Sequence, residues 1–222
     1  MKKRAWSFSA LTLYEGCPQK YKLKYIDKLP EPVPEEDNPM VRGNRIHSNI
    51  EDYLQHDVTL SNEIKIVDYI RDVKVKNPIV EEDWAYTEDW EVTGWSEDNT
   101  DCRMKLDAFI KDGTHCHIID WKTGKDYPIK RIAQGQLYTI GALKRFPELE
   151  TFHVDFAYTD QGTIKSSNYK LKQIPKFEAN YKRRVDTMRN DTKFKAVNNK
   201  WNCKFCPFGP DNMNSCDYGV TE

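Results

Sequence analysis

No apolar run in the chain approaches the ~20 residues that a membrane-crossing helix needs, so none is expected. The basic start, Met1-Lys2-Lys3-Arg4-Ala5-Trp6, leads into Ser7-Phe8-Ser9 and not into an apolar secretory core. Export is therefore unexpected, and an intracellular, cytoplasmic protein is the expectation. Bulk charge is also lacking, since 34 basic against 35 acidic side chains leave a net charge of −1. That argues against a protein that coats nucleic acid through excess positive charge, but not against a local basic groove. No internal repeat is present. The six cysteines are spread over 222 residues, too long a chain for a disulfide-stapled miniprotein, so metal ligation better explains those that cluster. Apolar residues make up 38% of the chain, enough to bury one substantial core, and a single domain over 1–222 is expected.

The segment Leu29-Pro30-Glu31-Pro32-Val33-Pro34-Glu35-Glu36-Asp37-Asn38-Pro39 is acidic and proline-rich, and reads as an exposed linker between helices. Before it, helical spacing runs from Ser9 to Lys28, with a kink or break predicted at Pro18. After it, helices are predicted over Met40 to Leu54 and Asn62 to Lys76. Extended stretches then cover Tyr86 to Trp95, Cys102 to Lys111 and His115 to Trp121, the last two joined at Asp112-Gly113, a strong hairpin signal. An amphipathic helix from Ile129 to Arg145 follows. A strand pair, Phe152 to Tyr158 and Thr163 to Lys170, turns at Asp160-Gln161-Gly162, and a helix from Pro175 to Asn190 begins on a favourable proline. The tail from Lys200 reads as irregular. This order gives an α/β class with one central mixed sheet flanked by helices.

Within the hairpin, Asp107 on one strand and Asp120 on the next can meet side by side. Two close carboxylates repel each other, and a divalent cation is the ordinary reason to tolerate that. Lys122 lies two residues after Asp120 and so shares its face on a strand. A carboxylate pair beside an amine can hold a metal and orient a water against a phosphodiester. Two helical pairs at i,i+4 add to this, namely His47 with Glu51 and Gln134 with Tyr138.

Asp107, then Asp120-Trp121-Lys122, with the helical His47 before them and Gln134-x-x-x-Tyr138 after, resemble the PD-(D/E)XK nucleases and specifically their RecB-like exonuclease branch. The matching motifs span Gly43 to Tyr138. The resemblance implies a restriction-endonuclease-like core and Mg²⁺- or Mn²⁺-dependent hydrolysis of DNA, with single strands or duplex ends as substrate. His47, Asp107, Asp120 and the Trp121 backbone carbonyl would then be metal ligands. Lys122 would act on the attacking water and phosphate, Gln134 and Tyr138 would position the strand, and Glu51 would stand near the metals or orient His47. Lys130 and Arg131 are expected phosphate contacts. No membrane role is expected, and the resemblance leaves room for an oligomer or for a partner in recombination, repair, phage or CRISPR DNA processing.

Near the carboxyl end, Cys203-Lys204-Phe205-Cys206 and Cys216 form a trio that wants a fourth ligand, and Cys17 is the candidate. One cysteine near the start and three near the end resemble the iron–sulfur staple of AddB-type and CRISPR-associated relatives. That implies a 4Fe-4S cluster joining residues 1–28 and 200–222. The gap from Cys206 to Cys216 is longer than in that family, and Zn²⁺ is the alternative. Cys102 and Cys116 read as small core residues. Two other readings remain at this point: a non-catalytic nucleic-acid-binding module on the same fold, and a zinc-stapled interaction module.

Overall fold

The computed structural model describes residues 4–221. Its helices are α1 (Phe8–Gly16), α2 (Pro18–Tyr21, running into a π-helical turn, Lys22–Ile26), α3 (Pro39–His56), α4 (Val67–Val75), α5 (Pro128–Arg145), α6 (Ile174–Asn190) and α7 (Lys200–Lys204). The strands between Glu35 and Glu178 are β1 (Ile79–Tyr86), β2 (Val92–Thr93), β3 (Cys102–Asp112), β4 (His115–Lys122), β5 (Thr151–Tyr158) and β6 (Thr163–Lys170). Contacts divide the chain into two units, one holding Glu35–Glu178 and the other Trp6–Pro34 with the chain from Ala179 onward.

In the first unit the strands lie in the order β2-β1-β3-β4-β5-β6. All neighbours are antiparallel except β4 and β5, which run parallel because α5 carries the chain back across the sheet. The sheet is therefore mixed and flanked by helices, as expected from the element order. Strand β3 shows the period of two that half-buried strands require, with Cys102, Met104, Leu106 and Ala108 buried and Lys105 exposed between them. Its hairpin with β4 closes over Gly113, whose φ of +56° is a conformation that glycine adopts without a steric penalty. Cys102 and Cys116 are buried in these strands, as small core residues are.

Helix α3 starts where Asn38 accepts the Met40 amide and Pro39 supplies a preset φ. It buries Ile46 and Ile50 in a cluster with Ile66, Ile70 and Val73 from the α4 region and with Ala108, Ile119, Trp121 and Ala157 from the sheet. Each such aliphatic side chain contributes about 1.5–3 kcal/mol.

Three expectations need correction. The stretch Tyr86 to Trp95 is not one strand, because the chain turns at Thr87–Trp90, where Trp90 donates to the Thr87 carbonyl. The strand lies earlier, at Ile79–Tyr86, with only Val92–Thr93 beyond the turn. The helix predicted from Asn62 begins at Val67, because the Lys65 amide is taken by the Thr159 carbonyl (2.7 Å) and holds the preceding segment out of the helix. The tail is not wholly irregular either, since Asn199 caps the short helix α7.

In the second unit, Ser7 caps α1 by accepting the Ala10 amide. The chain breaks at Cys17 before Pro18 opens α2, where the sequence places the kink. Trp6 stacks on Tyr181, Tyr14 meets Tyr21 edge-on, and Glu15 pairs with Arg184 through two bonds of 2.7 and 2.8 Å. A small satellite cluster joins Leu23, Cys206 and Phe208 with Leu29 and Cys216.

Candidate active site

The site of interest forms where two strands part. Backbone pairing between β3 and β4 ends at Ala108 and Ile119. One step further, Asp107 and Asp120 would oppose each other, but there β3 stays with β1 and β4 stays with β5. The ladder bond lost at that point is replaced by a side chain, because the Trp121 amide donates to Asp107 Oδ2 at 2.7 Å. The fork thus turns an unpaired backbone donor into an anchor for a carboxylate.

Asp120 faces α5 and is 3% exposed. Its Oδ1 accepts from Tyr138 OH (2.5 Å) and Gln134 Nε2 (3.1 Å), while Gln134 also donates to the tyrosine oxygen (2.7 Å). The i,i+4 spacing on α5 brings these two side chains to one oxygen. Lys122 Nζ stands 2.6 Å from Asp120 Oδ2, as the i+2 spacing predicts. That ion pair meets the distance of a hydrogen bond but not its angle, and Oδ2 is a buried oxygen without a hydrogen bond. Burial raises the Asp120 pKa, Asp107 adds to the rise, and Lys122 opposes it.

His47 reaches the same place from α3, its Nδ1 3.5 Å from Asp107 Oδ2. Burial disfavours the imidazolium, but the two carboxylates outweigh it and raise the His47 pKa. Four residues before it, Gly43 lets α3 pass close to the sheet, because a Cβ there would sit 3.1 Å from Thr123 Oγ1. Of the predicted site residues, His47, Asp107, Asp120, Lys122, Gln134 and Tyr138 are brought together. Trp121 lies between them, with its ring buried and its amide held by Asp107. Arg131 is occupied by Asp126 (3.0 Å), whereas Lys130 is exposed beside Tyr127.

Glu81 was not anticipated. The register places it opposite Asp107 between the pairs Val80–Ala108 and Glu82–Leu106. Its backbone is left-handed, with φ +55°, a strained conformation for a side chain of this size. Burial first, then the charges of Asp107 and Glu51, push its pKa up to about 7. The available signal was the acidic run Glu81-Glu82-Asp83 ahead of Trp84. Glu51 is thus within electrostatic reach of the fork through Glu81.

The donor set here consists of carboxylates, an imidazole and one buried oxygen lacking a hydrogen bond. It fits a hard divalent ion such as Mg²⁺ or Mn²⁺. In the second unit, Cys17, Cys203, Cys206 and Cys216 line one cavity with Lys20 and Leu23. None of the four is in a disulfide. Burial raises the Cys206 pKa, and the Cys17 and Cys216 sulfurs add to the rise. Among the described residues, the trio whose ligating atoms all lie within 4.8 Å of one another is not a cysteine set but His117, His153 and Asp155.

A sequence profile of the PD-(D/E)XK nuclease superfamily matches residues 5–104 and 103–210. None of the curated proteins compared with the chain matches it. In fold it is similar to the crystal structure of SSO0001, with a TM-score of 0.50 and 16% identity, covering 100% of this chain and 90% of that one. It is also similar to a candidate exonuclease from Eubacterium rectale, with a TM-score of 0.55 and 11% identity, covering 96% of this chain and 88% of that one. Among the described residues, no helix is long and apolar enough to cross a membrane.

Proposed function

The chain belongs to the PD-(D/E)XK nuclease superfamily, and on that premise we propose that it is a Mg²⁺- or Mn²⁺-dependent deoxyribonuclease of the RecB-like branch that degrades DNA from its ends. The observation that carries this reading is the meeting of Asp107, Asp120, His47 and Lys122 at the fork between β3 and β4. His47, Asp107, Asp120 and the Trp121 carbonyl would hold the metal. When bound, the ion lowers the pKa of its water and neutralises charge on the scissile phosphate. Gln134 and Tyr138 fix one oxygen of Asp120 and leave the other facing Lys122. The Lys122 ammonium orients the attacking water and balances negative charge as the phosphate becomes five-coordinate. Lys130, exposed at the start of α5, meets the DNA backbone. The preference for ends draws on the fold likeness to the candidate exonuclease.

We also propose that Cys17, Cys203, Cys206 and Cys216 ligate a 4Fe-4S cluster, with Zn²⁺ as the alternative. The shared cavity supports it, because each thiolate of such a cluster binds its own iron and the sulfurs need not touch one another. Anaerobic purification should yield brown protein with iron and acid-labile sulfide, whereas colourless protein carrying zinc would replace the cluster with the alternative.

End-labelled linear DNA and covalently closed circles, each incubated with Mg²⁺ or Mn²⁺, test the activity directly. Linear DNA should be shortened and circles should persist. Cleavage of both would make the enzyme an endonuclease. Cleavage by Asp120→Ala or Lys122→Ala at the wild-type rate would remove the site assignment, and absence of metal-dependent cleavage would leave a binding module.

A further inference from the structure

A second ligand cluster lies in the same unit, on the sheet face turned away from Asp120. Ile119 pairs with Asp155 and Asp120 with Phe156, so Asp155 shares a face with Ile119 and Trp121 and not with Asp120. On that face the parallel ladder sets His117 of β4 beside His153 of β5, with their rings 4.6 Å apart, and Asp155 follows His153 by two residues. His117 Nε2 is 2.7 Å from Asp155 Oδ2, and His153 Nε2 is 2.9 Å from Asp155 Oδ1. Tyr69 of α4 and Ser166 of β6 each donate to the same carboxylate at 2.6 Å.

The arrangement of the rings is what points to a ligand. His153 Nδ1 sits 2.7 Å from Asn168 Oδ1, with the amide so oriented that its oxygen faces the ring. With Nδ1 donating to that amide oxygen, Nε2 is the ring nitrogen left facing the Asp155 carboxylate. In the metal-free protein a proton on Nε2 bridges the 2.9 Å to Asp155, and a divalent cation can take the place of that proton. A ring nitrogen whose opposite N–H is held by an amide oxygen is the usual supporting arrangement of a metal-bound histidine.

We propose that His117, His153 and Asp155 form a second metal site for a borderline divalent cation of the Zn²⁺ class, separate from the hard-metal site at the strand fork. Two imidazoles and one carboxylate select such ions over Mg²⁺ and Ca²⁺, which take oxygen sets. Ligand atoms around a tetrahedral zinc lie about 3.4 Å apart, so the two His–Asp155 contacts of 2.7 and 2.9 Å need to lengthen to admit it. His153 is 37% exposed on its side chain, which gives the ion a path from solvent and room for a water as a further ligand. On binding, the ion takes the place of the protons between the ring nitrogens and Asp155, and those protons go to the buffer. The site clamps β4 to β5 three residues before Asp120, and so stiffens the strand that carries Asp120 and Lys122.

The test is Zn²⁺ titration calorimetry on the full chain in two buffers of different ionisation enthalpy. Four proteins are compared: wild type, His153→Gln, Asn168→Ala, and the double variant Asp107→Asn/Asp120→Asn. The wild type and the double variant should both bind one equivalent that His153→Gln has lost, with proton release in both buffers. Asn168→Ala should weaken that equivalent about 10- to 100-fold while leaving the ligands in place. Co²⁺ bound at this equivalent should show ligand-field bands without thiolate charge transfer, which separates it from the cysteine cavity. Zn²⁺ should raise the melting temperature of the wild type more than that of His153→Gln. The proposal is overturned if His153→Gln binds as many equivalents as the wild type, or if the extra equivalent disappears with the Asp107/Asp120 pair.

Discussion

Asp120 and Asp155 lie one step apart on the parallel ladder between β4 and β5, each 3% exposed, and they titrate in opposite directions. Asp155 is also penalised by burial, yet donors from His117, His153, Ser166 and Tyr69 fill both of its oxygens and hold its pKa far below the usual carboxylate range. Asp120 has two donors crowded onto one oxygen, an oblique lysine at the other, and Asp107 nearby, and its pKa rises. Two carboxylates equally closed to solvent are therefore not equivalent: at Asp155 the surrounding donors outweigh the cost of burial, and at Asp120 burial outweighs them. Asp155 is already at home as an anion. Asp120 keeps one oxygen whose only neighbouring donor is the oblique Lys122 ammonium, and that oxygen is open to a cation even before any proton is displaced.

Substituting both aspartates with asparagine gives the sharpest test of that contrast. Asp120→Asn should reduce DNA cleavage on the order of 10³-fold or more, the scale on which single groups stabilising transition-state charge act. In metal-free buffer the same change should leave stability unchanged or raise it, because it removes a buried charge that lacks full compensation. Asp155→Asn should instead cost about 3 kcal/mol in urea unfolding, since it strands donors arranged around a carboxylate. The depressed pKa of Asp155 adds a pH signature. Its contribution is present above the unfolded carboxylate value and is lost as pH falls through the folded one, so acid should narrow the gap between wild type and Asp155→Asn. Equal losses of stability in the two variants would break the comparison.

Tyr138→Phe probes the better-satisfied oxygen of Asp120. It removes the 2.5 Å bond and leaves Gln134 as the only side-chain donor there. Cleavage should fall about tenfold and stability by about 1 kcal/mol, the worth of one hydrogen bond. A fall in activity as deep as that of Asp120→Asn would mean that the hydroxyl touches the reacting groups and does not merely position the carboxylate.

Much of the fork was legible because its geometry is local. Asp120 and Lys122 share a face by the period of a strand, Gln134 and Tyr138 by the period of a helix, and Asp112-Gly113 marks the hairpin that brings β3 against β4. The His117–His153–Asp155 cluster was not legible. Its two histidines are 36 residues apart, and they meet only through the parallel register that the α5 crossover creates, which no short-range period reports. Glu81 escaped for two reasons. The strand that carries it begins earlier than the apolar pattern suggests, and its acidic run, Glu81-Glu82-Asp83, resembles a solvated loop. The cysteines fall between these cases: the Cys203–Cys206 spacing is readable, but that Cys17 lines the same cavity is a tertiary fact.

The smallest effect concerns Glu81, which extends the comparison from two carboxylates to three. In the folded chain its pKa stands at about 7 against an ordinary 4.5, chiefly through burial and then through Asp107 and Glu51. A carboxyl raised in this way keeps its proton in the folded state over a range where the unfolded chain has released it. Its contribution to stability is full below the unfolded value and is lost as pH rises through the folded one. Metal-free wild type should therefore lose stability between about pH 5 and about pH 8 relative to Glu81→Gln, which has no proton to lose. Because the side chain is half-buried, solvent screens much of the interaction, and the difference should be about 1 kcal/mol or less. Urea unfolding of both proteins at the two pH values measures it. A wild type that is instead more stable than Glu81→Gln at the higher pH would show that Glu81 is held as an anion by a positive neighbour, and would place it with Asp155 and not with Asp120.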